Sequence, residues 1–130
     1  MALAWNRRWE WPMDYQFLDC EDFLIIKLSG TATVNERLLV REHLAPHLGQ
    51  SRRKVIVDLQ GVTGKGKIYI VGVMNVIQKE FKLLGCEVKF CLSKPGLCRY
   101  FEENRLDAIF DISHSIEQIK SKFKEKNNED

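Results

Sequence analysis

A segment rich in glycine and lysine, residues 61–67, has the composition of a phosphate-binding loop. Gly61, Gly66 and Lys67 fit the GxxxxGK part of a motif whose backbone amides and lysine hold phosphate groups. The next position is Ile68, which has no hydroxyl for Mg²⁺, and no later strand ends in a carboxylate that would complete a metal site. The pattern therefore disfavours nucleotide hydrolysis and leaves open the binding of an anion or nucleotide.

Two histidines one helical turn apart, His43 and His47, have a spacing that could share a metal ion. No carboxylate or third histidine stands where it would complete such a site, so we interpret both as residues of a solvated helix flank. His114 is expected in a loop, with no partner near it in sequence. The chain lacks a GxSxG motif, and its serines fall at strand ends, turns and helix caps. The sequence therefore predicts no catalytic residue, no metal site and no cofactor.

Four cysteines, Cys20, Cys86, Cys91 and Cys98, stand at spacings that fit neither a CxxC pair nor a zinc motif. We expect free thiols. Cys86 borders an apolar stretch and Cys91 lies within it, and in such a place cysteine acts as a small buried hydrophobic residue. This use of cysteine is typical of a reducing compartment, and we expect a cytoplasmic protein.

Apolar periodicity predicts five strands and four helices. The strands are expected at residues 14–18, 23–28, 55–59, 87–92 and 108–110. The helices are expected at residues 33–48, 67–84 and 95–104 and from residue 115 onward. Because two strands precede the first helix and the rest alternate with helices, the order predicts an α/β fold with a mostly parallel sheet and one antiparallel edge pair.

Capping and breaking signals mark the ends of these helices. Thr33 and Glu36 match a capping box at the start of the first helix, and Pro46 is expected to shorten its last turn. Gly85 is the expected C-cap of the second helix, and Ser115 with Gln118 the start of the last. The predicted inward faces are Val34, Leu38, Leu44, Ala45 and Leu48 on the first helix, Ile70, Val73, Met74, Ile77, Phe81 and Leu84 on the second, Leu97, Tyr100 and Phe101 on the third, and Ile116, Ile119 and Phe123 on the last.

The run VIVDL at residues 55–59 is predicted to be the central strand, because a continuous apolar run is typical of a strand buried on both faces. Asp58 lies near its end. A carboxylate at this place either has a functional role or accepts hydrogen bonds from backbone amides of the next loop, and both interpretations stay open.

Composition bounds the class of protein. The 130 residues fit one domain with a real core, and 20 Lys and Arg against 18 Asp and Glu leave a net charge of only +2. That balance disfavours a nucleic-acid partner. No stretch approaches the roughly 20 apolar residues of a membrane helix, so no membrane insertion is expected.

All three tryptophans, with Arg7 and Arg8, lie in residues 1–12. We expect this segment to be a disordered extension, since twelve residues are too few to hold a helix unaided. The alternative is an aromatic and basic arm that touches a membrane surface or a partner. The folded domain is predicted at residues 13–124, followed by a charged tail at residues 125–130.

Four segments, taken in order, resemble the STAS family, which includes bacterial anti-sigma factor antagonists and the cytosolic tails of sulfate transporters. They are Ile25–Gly30 with the threonine-rich turn after it, Lys54–Thr63, Gly85 with the strand that follows, and Arg105–Ile119. The most specific parts are VDLxGV and LDxIFDIxxSIEQI, and the similarity covers residues 13–123. It implies a small mixed β-sheet with helices packed mainly on one side.

One position departs from the family pattern. Where members typically carry Asp-Ser-Ser-Gly, this chain has Gly66-Lys67-Ile68-Tyr69, so the phosphoacceptor hydroxyl and its neighbouring carboxylate are missing. The nearest hydroxyls are those of Tyr69 and Thr63, and Thr63 stays a weak candidate for phosphorylation. In the family, phosphorylation releases the partner, because a dianion on a packed interface brings repulsion and a desolvation cost. We expect this chain to bind its partner without that switch, or under another signal.

The resemblance implies a non-catalytic docking module in signal transduction that regulates transcription. The implied partner is a protein, either an anti-sigma factor of the serine-kinase type or, alternatively, a membrane transport complex in which this chain is an accessory subunit. A small nucleotide- or anion-binding protein that uses Gly61–Lys67 is the third alternative, and the oligomeric state stays open. The expected partner-binding residues are Thr31, Ala32, Thr33, Thr63, Gly64, Lys65, Gly66, Lys67, Val71 and Asn75.

Overall fold

The computed structural model describes residues 13–20, 22–49, 54–63 and 66–128, with side chains to residue 123. The predicted extension at residues 1–12 and the predicted contact residues Gly64 and Lys65 lie outside the described residues. The strands are β1 (Asp14–Cys20), β2 (Phe23–Gly30), β3 (Lys54–Val62), β4 (Glu87–Cys91) and β5 (Ile112–Ser113). The α-helices are α1 (Glu36–Leu44), α2 (Lys67–Lys82), α3 (Pro95–Glu103) and α4 (Ile116–Asn128), with 3₁₀ turns at Ala45–His47 and Leu106–Ala108.

The strands form one sheet in the order β1-β2-β3-β4-β5. β1 pairs with β2 antiparallel, and each later pair of neighbours is parallel. β3 is the central strand, and all five residues 55–59 are buried. The predicted mixed sheet, its antiparallel edge pair and its central strand are confirmed.

Helices cover the two faces of the sheet unequally. The larger core packs residues of α1, α2 and α3 against side chains of β2, β3 and β4, such as Ile26, Val57 and Phe90. The smaller core lies on the opposite face, where Ile119 and Phe123 of α4 pack among residues that include Ile25, Ile56 and Cys91. The packing of helices mainly on one side is therefore confirmed.

The predicted strand at residues 108–110 is wrong. Arg105 adopts a left-handed conformation with φ of 56°, and the chain then turns because the amides of Ile109 and Phe110 both donate to the Leu106 carbonyl. Phe110 is buried edge-on to Phe90, with ring centroids 5.3 Å apart, whereas Ile109 is exposed. One buried aromatic ring anchors this turn, and the strand forms two residues later as β5.

The predicted apolar stripe and capping box of the first helix are wrong at several positions. Val34 and Leu38 are 68% and 70% exposed, and Ala45 is also exposed. The residues that face the core are Glu36, Val40 and Leu44. The N-cap is Asn35 without a side-chain hydrogen bond, and Thr33 contributes only its carbonyl, which accepts from the Glu36 amide.

Glu36 turns inward because β1 supplies its hydrogen-bond donors. The Met13 amide donates to Oε1 at 3.2 Å, and the Tyr15 hydroxyl donates to Oε2 at 2.7 Å. A fully buried carboxylate needs such donors, because leaving it without them costs several kcal/mol, on the order of 3. Glu36 therefore joins the first helix to the edge strand.

The histidine pair also contacts β1: His43 is exposed, as the predicted solvated flank requires, whereas His47 is half-buried. The ring of His43 stacks on Tyr15 at a centroid distance of 4.2 Å, and His47 stacks on Phe17 at 3.7 Å. His47 lies in the 3₁₀ turn that replaces the last α-helical turn, as Pro46 predicted.

The inward faces of the other helices follow the predictions closely. On α2, Ile70, Val73, Met74, Ile77 and Phe81 are buried as predicted. Leu84 is 54% exposed, because α2 ends at Lys82 and Gly85 reverses the chain with φ of 82°. On α3, Leu97 and Phe101 are buried and Tyr100 only half-buried.

The start of the last helix is confirmed in atomic detail. The Ser115 hydroxyl accepts from the Gln118 amide at 3.1 Å, and the Gln118 side chain accepts from the His114 amide at 3.2 Å. Ile119 and Phe123 are buried as predicted, and Ile116 is half-buried. The helix continues to Asn128, so it overlaps the predicted tail at residues 125–130.

Candidate partner-binding surface

The loops that leave β2 and β3 meet above the carboxyl end of the sheet. The hydroxyl oxygens of Thr31 and Thr63 are 2.7 Å apart, within hydrogen-bond distance. The Thr63 amide also donates to the Gly30 carbonyl at 2.8 Å. Neighbouring parallel strands bring these loops to the same edge, and the side chains then fix them to each other.

Gly66 holds the loop after β3 against the loop after β2. It has φ of +70°, and a Cβ atom added to it would lie 2.4 Å from the Ala32 carbonyl oxygen. Its own carbonyl accepts from the amides of Tyr69 and Ile70, so it begins α2. Only glycine suits this position, because a side chain would meet both backbone strain and a clash.

Gly61, the first glycine of the phosphate-loop pattern, lies inside β3. A Cβ atom there would lie 2.9 Å from Ser29 Cβ and 3.0 Å from the Leu28 carbonyl oxygen, at the place where the pairing of β2 with β3 shifts register. Gly61 thus permits close approach of two strands, and Gly66 permits close approach of two loops. The glycines of the pattern serve packing at separate places.

The first turn of α2 carries cationic and apolar side chains. Lys67 is half-buried with Nζ 5.7 Å from the centre of the Tyr100 ring, while Ile68 is 67% and Tyr69 40% exposed. Lys94 adds a second cation near this end of the sheet, where its Nζ donates to the Val62 carbonyl. This surface is therefore positive and apolar.

The structure brings the described residues of the predicted surface together only in part. Thr31, Thr63, Gly66 and Lys67 lie at the loop edge, whereas the Ala32 side chain is 2% exposed and lies under it. Val71, expected to be exposed, is half-buried and packs against the main core. Thr33 and Asn75 line the surface beside the loops, between α1 and α2.

Four apolar residues beside the loop edge are exposed, and the sequence analysis did not predict any of them as part of the surface. Val34, Leu38, Ile68 and Tyr69 line one groove between α1 and α2, with Thr33, Arg37 and Gly72. We call this feature the α1–α2 groove. Periodicity placed Val34 and Leu38 in the core, and no local signal in the sequence shows that Glu36 occupies the inward face instead.

The described metal-ligating side chains are dispersed, and three of the four thiols have a raised pKa. Within the described residues, no three His, Cys, Asp or Glu residues lie close enough to hold a metal ion. Burial raises the pKa of the thiols of Cys86, Cys91 and Cys98, which disfavours the reactive thiolate form. Asp58 accepts from the Gln60 amide at 3.0 Å, which supports the structural interpretation of this carboxylate.

No helix in the described part of the chain combines the length and the apolar character needed to cross a membrane.

Comparison with solved structures identifies the fold. A serine-to-glutamate variant of RsbS from Moorella thermoacetica matches with a TM-score of 0.70 at 16% identity, over 88% of this chain and 97% of that one. An anti-sigma factor antagonist from Mycobacterium paratuberculosis matches with a TM-score of 0.65 at 14% identity, over 82% and 89%. The anti-sigma factor antagonist SpoIIAA in its unphosphorylated form matches with a TM-score of 0.61 at 14% identity, over 82% and 93%.

No protein-family model matches the sequence, and no curated protein matches it significantly. The likeness to these solved structures spans nearly their whole length, and the predicted α/β architecture agrees with theirs. The chain has the STAS fold.

Proposed function

We propose that this protein is a non-catalytic regulatory module that binds a protein partner, as an anti-sigma factor antagonist does. The binding surface comprises the loop at residues 31–33, the loop at residues 63–67 and Asn75 on α2. The observation that carries the proposal is the hydroxyl contact of 2.7 Å between Thr31 and Thr63, which joins both loops into one surface. A preorganised surface binds with a smaller loss of conformational entropy than two separate loops.

The partner is bound without phosphorylation at the usual family position. Lys67 and Ile68 stand there, and neither side chain accepts a phosphoryl group. Thr63, the weak alternative, is half-buried and already hydrogen-bonded to Thr31, so a kinase must first separate the two loops. The lysine instead offers a positive charge to an acidic residue of the partner.

A pull-down from the cells that make this protein tests the proposal. Lys67→Glu reverses a charge on the surface, and Lys82→Glu reverses one at the far end of the same helix. We expect the wild type and Lys82→Glu to recover the same protein, and Lys67→Glu to recover at least about tenfold less, since tenfold corresponds to only ~1.4 kcal/mol and a reversed charge at an interface costs at least that much. Equal recovery by all three, or recovery of nothing by the wild type, contradicts the proposal.

Mass spectrometry of the same samples reports the class of the partner and the state of Thr63. Recovery of a kinase-like protein would assign the partner to the anti-sigma factor class. Recovery of a transporter subunit would assign it to the membrane transport class, the other one that the resemblance implies. We expect Thr63 to be unmodified. Phosphate on Thr63 in the unbound fraction alone would overturn the absence of a phosphoswitch and leave the docking function intact.

Nucleotide binding by residues 61–67 is the alternative that this geometry disfavours. Gly61 lies in a paired strand and Gly66 against Ala32, so the two glycines do not share one phosphate cradle. Isothermal titration with ATP and GTP, each with and without Mg²⁺, should show no heat of binding. Saturable heat would favour the alternative.

A further inference from the structure

The α1–α2 groove exposes a cluster of apolar side chains to solvent. Val34, Leu38 and Ile68 are each at least two-thirds exposed, and Tyr69 is 40% exposed. They lie together, because all four line the same groove. A contiguous exposed apolar patch is the mark of an interaction site.

The groove continues along the two helices into a basic stretch. Arg37 and Leu38 line both parts, and Arg41, Asn75 and Lys79 line the continuation. None of the described lining residues carries a carboxylate. The groove therefore combines apolar side chains with three cations.

The nearby carboxylates do not cancel this charge. Glu80 lies 3.8 Å from Arg41 Nε and offsets part of one cation. Glu36, at the start of α1, is buried on the other side of the helix with Met13 and Tyr15. Arg37 and Lys79 have no carboxylate within ion-pair distance among the described residues.

The walls of the groove restrict how a partner can bind. Both are α-helices, whose backbone amides and carbonyls are hydrogen-bonded within the helix, so a partner cannot join as an added β-strand. Gly72 lines the groove, and its lack of a side chain leaves room for the Arg37 stem: a Cβ at Gly72 would lie 2.7 Å from Arg37 Cδ. Side chains of a docked helix suit a groove of this kind.

We propose that the α1–α2 groove binds an amphipathic helix of the partner protein in which acidic residues flank the apolar face. This inference rests on the proposed docking function and names the chemistry of the partner. Apolar side chains of that helix cover Val34, Leu38, Ile68 and Tyr69. Its carboxylates pair with Arg37, Arg41 and Lys79, so charge complementarity selects the partner and apolar burial supplies the affinity.

Site-specific photo-crosslinking in the native cells tests the chemistry of the occupant. A photo-crosslinking amino acid replaces Leu38 in one version of the full chain, Leu83 in a second and Lys67 in a third. Leu83 is the matched control, because it is a leucine 73% exposed directly after α2 that lies outside the groove. We expect Leu38 and Lys67 to capture the same protein and Leu83 to capture none.

The proposal is decided by the sequence of the peptide that is crosslinked to the photo-crosslinking residue at position 38. Apolar residues at helical spacing with acidic neighbours support it. A basic segment, a second copy of this chain, residues 1–12 of the chain itself, a lipid, or no product at all overturns it. When Lys67 captures a protein and Leu38 does not, the groove proposal fails and the docking function stands; when neither captures a protein, both fail.

Charge reversal gives a second, independent readout with the captured partner as the probe. The double variant Arg37→Glu and Arg41→Glu should bind that protein at least about tenfold more weakly, and Lys82→Glu should bind it as the wild type does. The wild-type affinity should fall with added salt, because exposed ion pairs are screened. Unchanged affinity of the double variant, with its thermal unfolding unaltered, overturns the proposal.

Discussion

The hydroxyls of Thr31 and Thr63, 2.7 Å apart, close the gap between two loops that are 32 residues apart in sequence. Either oxygen can be the donor, and the accepting hydroxyl keeps its own hydrogen for a further partner. Both residues are half-buried, and removal of either hydroxyl leaves the other without its partner in a partly dry site. The contact therefore contributes to stability as well as to the shape of the surface.

A double-mutant cycle measures this contact. Thr31→Val and Thr63→Val should each lower the free energy of unfolding by about 1 kcal/mol, since valine keeps the shape and removes the hydroxyl. The double variant should lose less than the sum, by about 0.5–1.5 kcal/mol, because its second substitution removes a hydroxyl that is already unpaired. Urea denaturation gives the values, and strictly additive losses would mean that the two hydroxyls do not interact.

Gly66 and Gly85 form a matched pair for testing loop packing. Both have positive φ, +70° and +82°, but a Cβ at Gly85 meets nothing within 4 Å, whereas one at Gly66 lies 2.4 Å from the Ala32 carbonyl oxygen. Gly85→Ala should cost about 1–2 kcal/mol of unfolding free energy from backbone strain alone. Gly66→Ala should cost about 1–3 kcal/mol more, because the loop must move, and it alone should weaken partner binding.

Equal losses for these two alanine variants in urea would show that the loop before α2 shifts freely. The contact of Gly66 with Ala32 would then not hold the proposed surface in place.

The sheet could be predicted from the sequence because its signals are local and redundant. The apolar run at residues 55–59 has no plausible place except in a strand covered on both faces, and the order of elements then determines the parallel neighbours. Gly85 and the pair Ser115 and Gln118 act through backbone geometry within a few residues. Such signals do not depend on distant parts of the chain.

The orientation of α1 could not be predicted in the same way. Glu36, Val40 and Leu44 recur every four residues and form the inward stripe, but a glutamate is not assigned to a core without knowledge of its donors. Those donors are Met13 and Tyr15, more than twenty residues earlier in the chain. The same misassignment hid the α1–α2 groove, because it placed Val34 and Leu38 inside.

The buried carboxylate of Glu36 should contribute strongly to stability. Glu36→Ala leaves the Met13 amide and the Tyr15 hydroxyl without their acceptor, at a cost of about 2–4 kcal/mol. Glu36→Gln keeps one acceptor oxygen and should cost less. Glu42→Ala, on an exposed position of the same helix, is the control and should change the unfolding free energy by less than about 0.5 kcal/mol. A loss for Glu36→Ala as small as that of the control would contradict the role of this contact.

The contact between Tyr15 and Glu36 also predicts how stability depends on pH. Burial in the first place, then the hydrogen bond to Glu36 and its negative charge, raise the pKa of Tyr15 well above its ordinary value of 10.0. Below pH 10.0 the phenol is protonated in both the folded and the unfolded chain, so its contribution to stability is complete. Above that pH the unfolded chain releases the proton and the folded chain retains it. The free energy of unfolding must therefore fall as the solution becomes more alkaline.

Urea unfolding midpoints of the wild type and Tyr15→Phe, measured from pH 8 to about pH 11, isolate this group, because phenylalanine does not titrate. The thiols of Cys86, Cys91 and Cys98 also have pKa values raised by burial and act in the same direction, but they are present in both proteins. We expect Tyr15→Phe to be less stable than the wild type at pH 8 and to lose less stability on going to pH 11. Parallel curves would mean that the Tyr15 phenol ionises as readily in the folded protein as in the unfolded chain, and that its hydrogen bond to Glu36 does not hold β1 against α1.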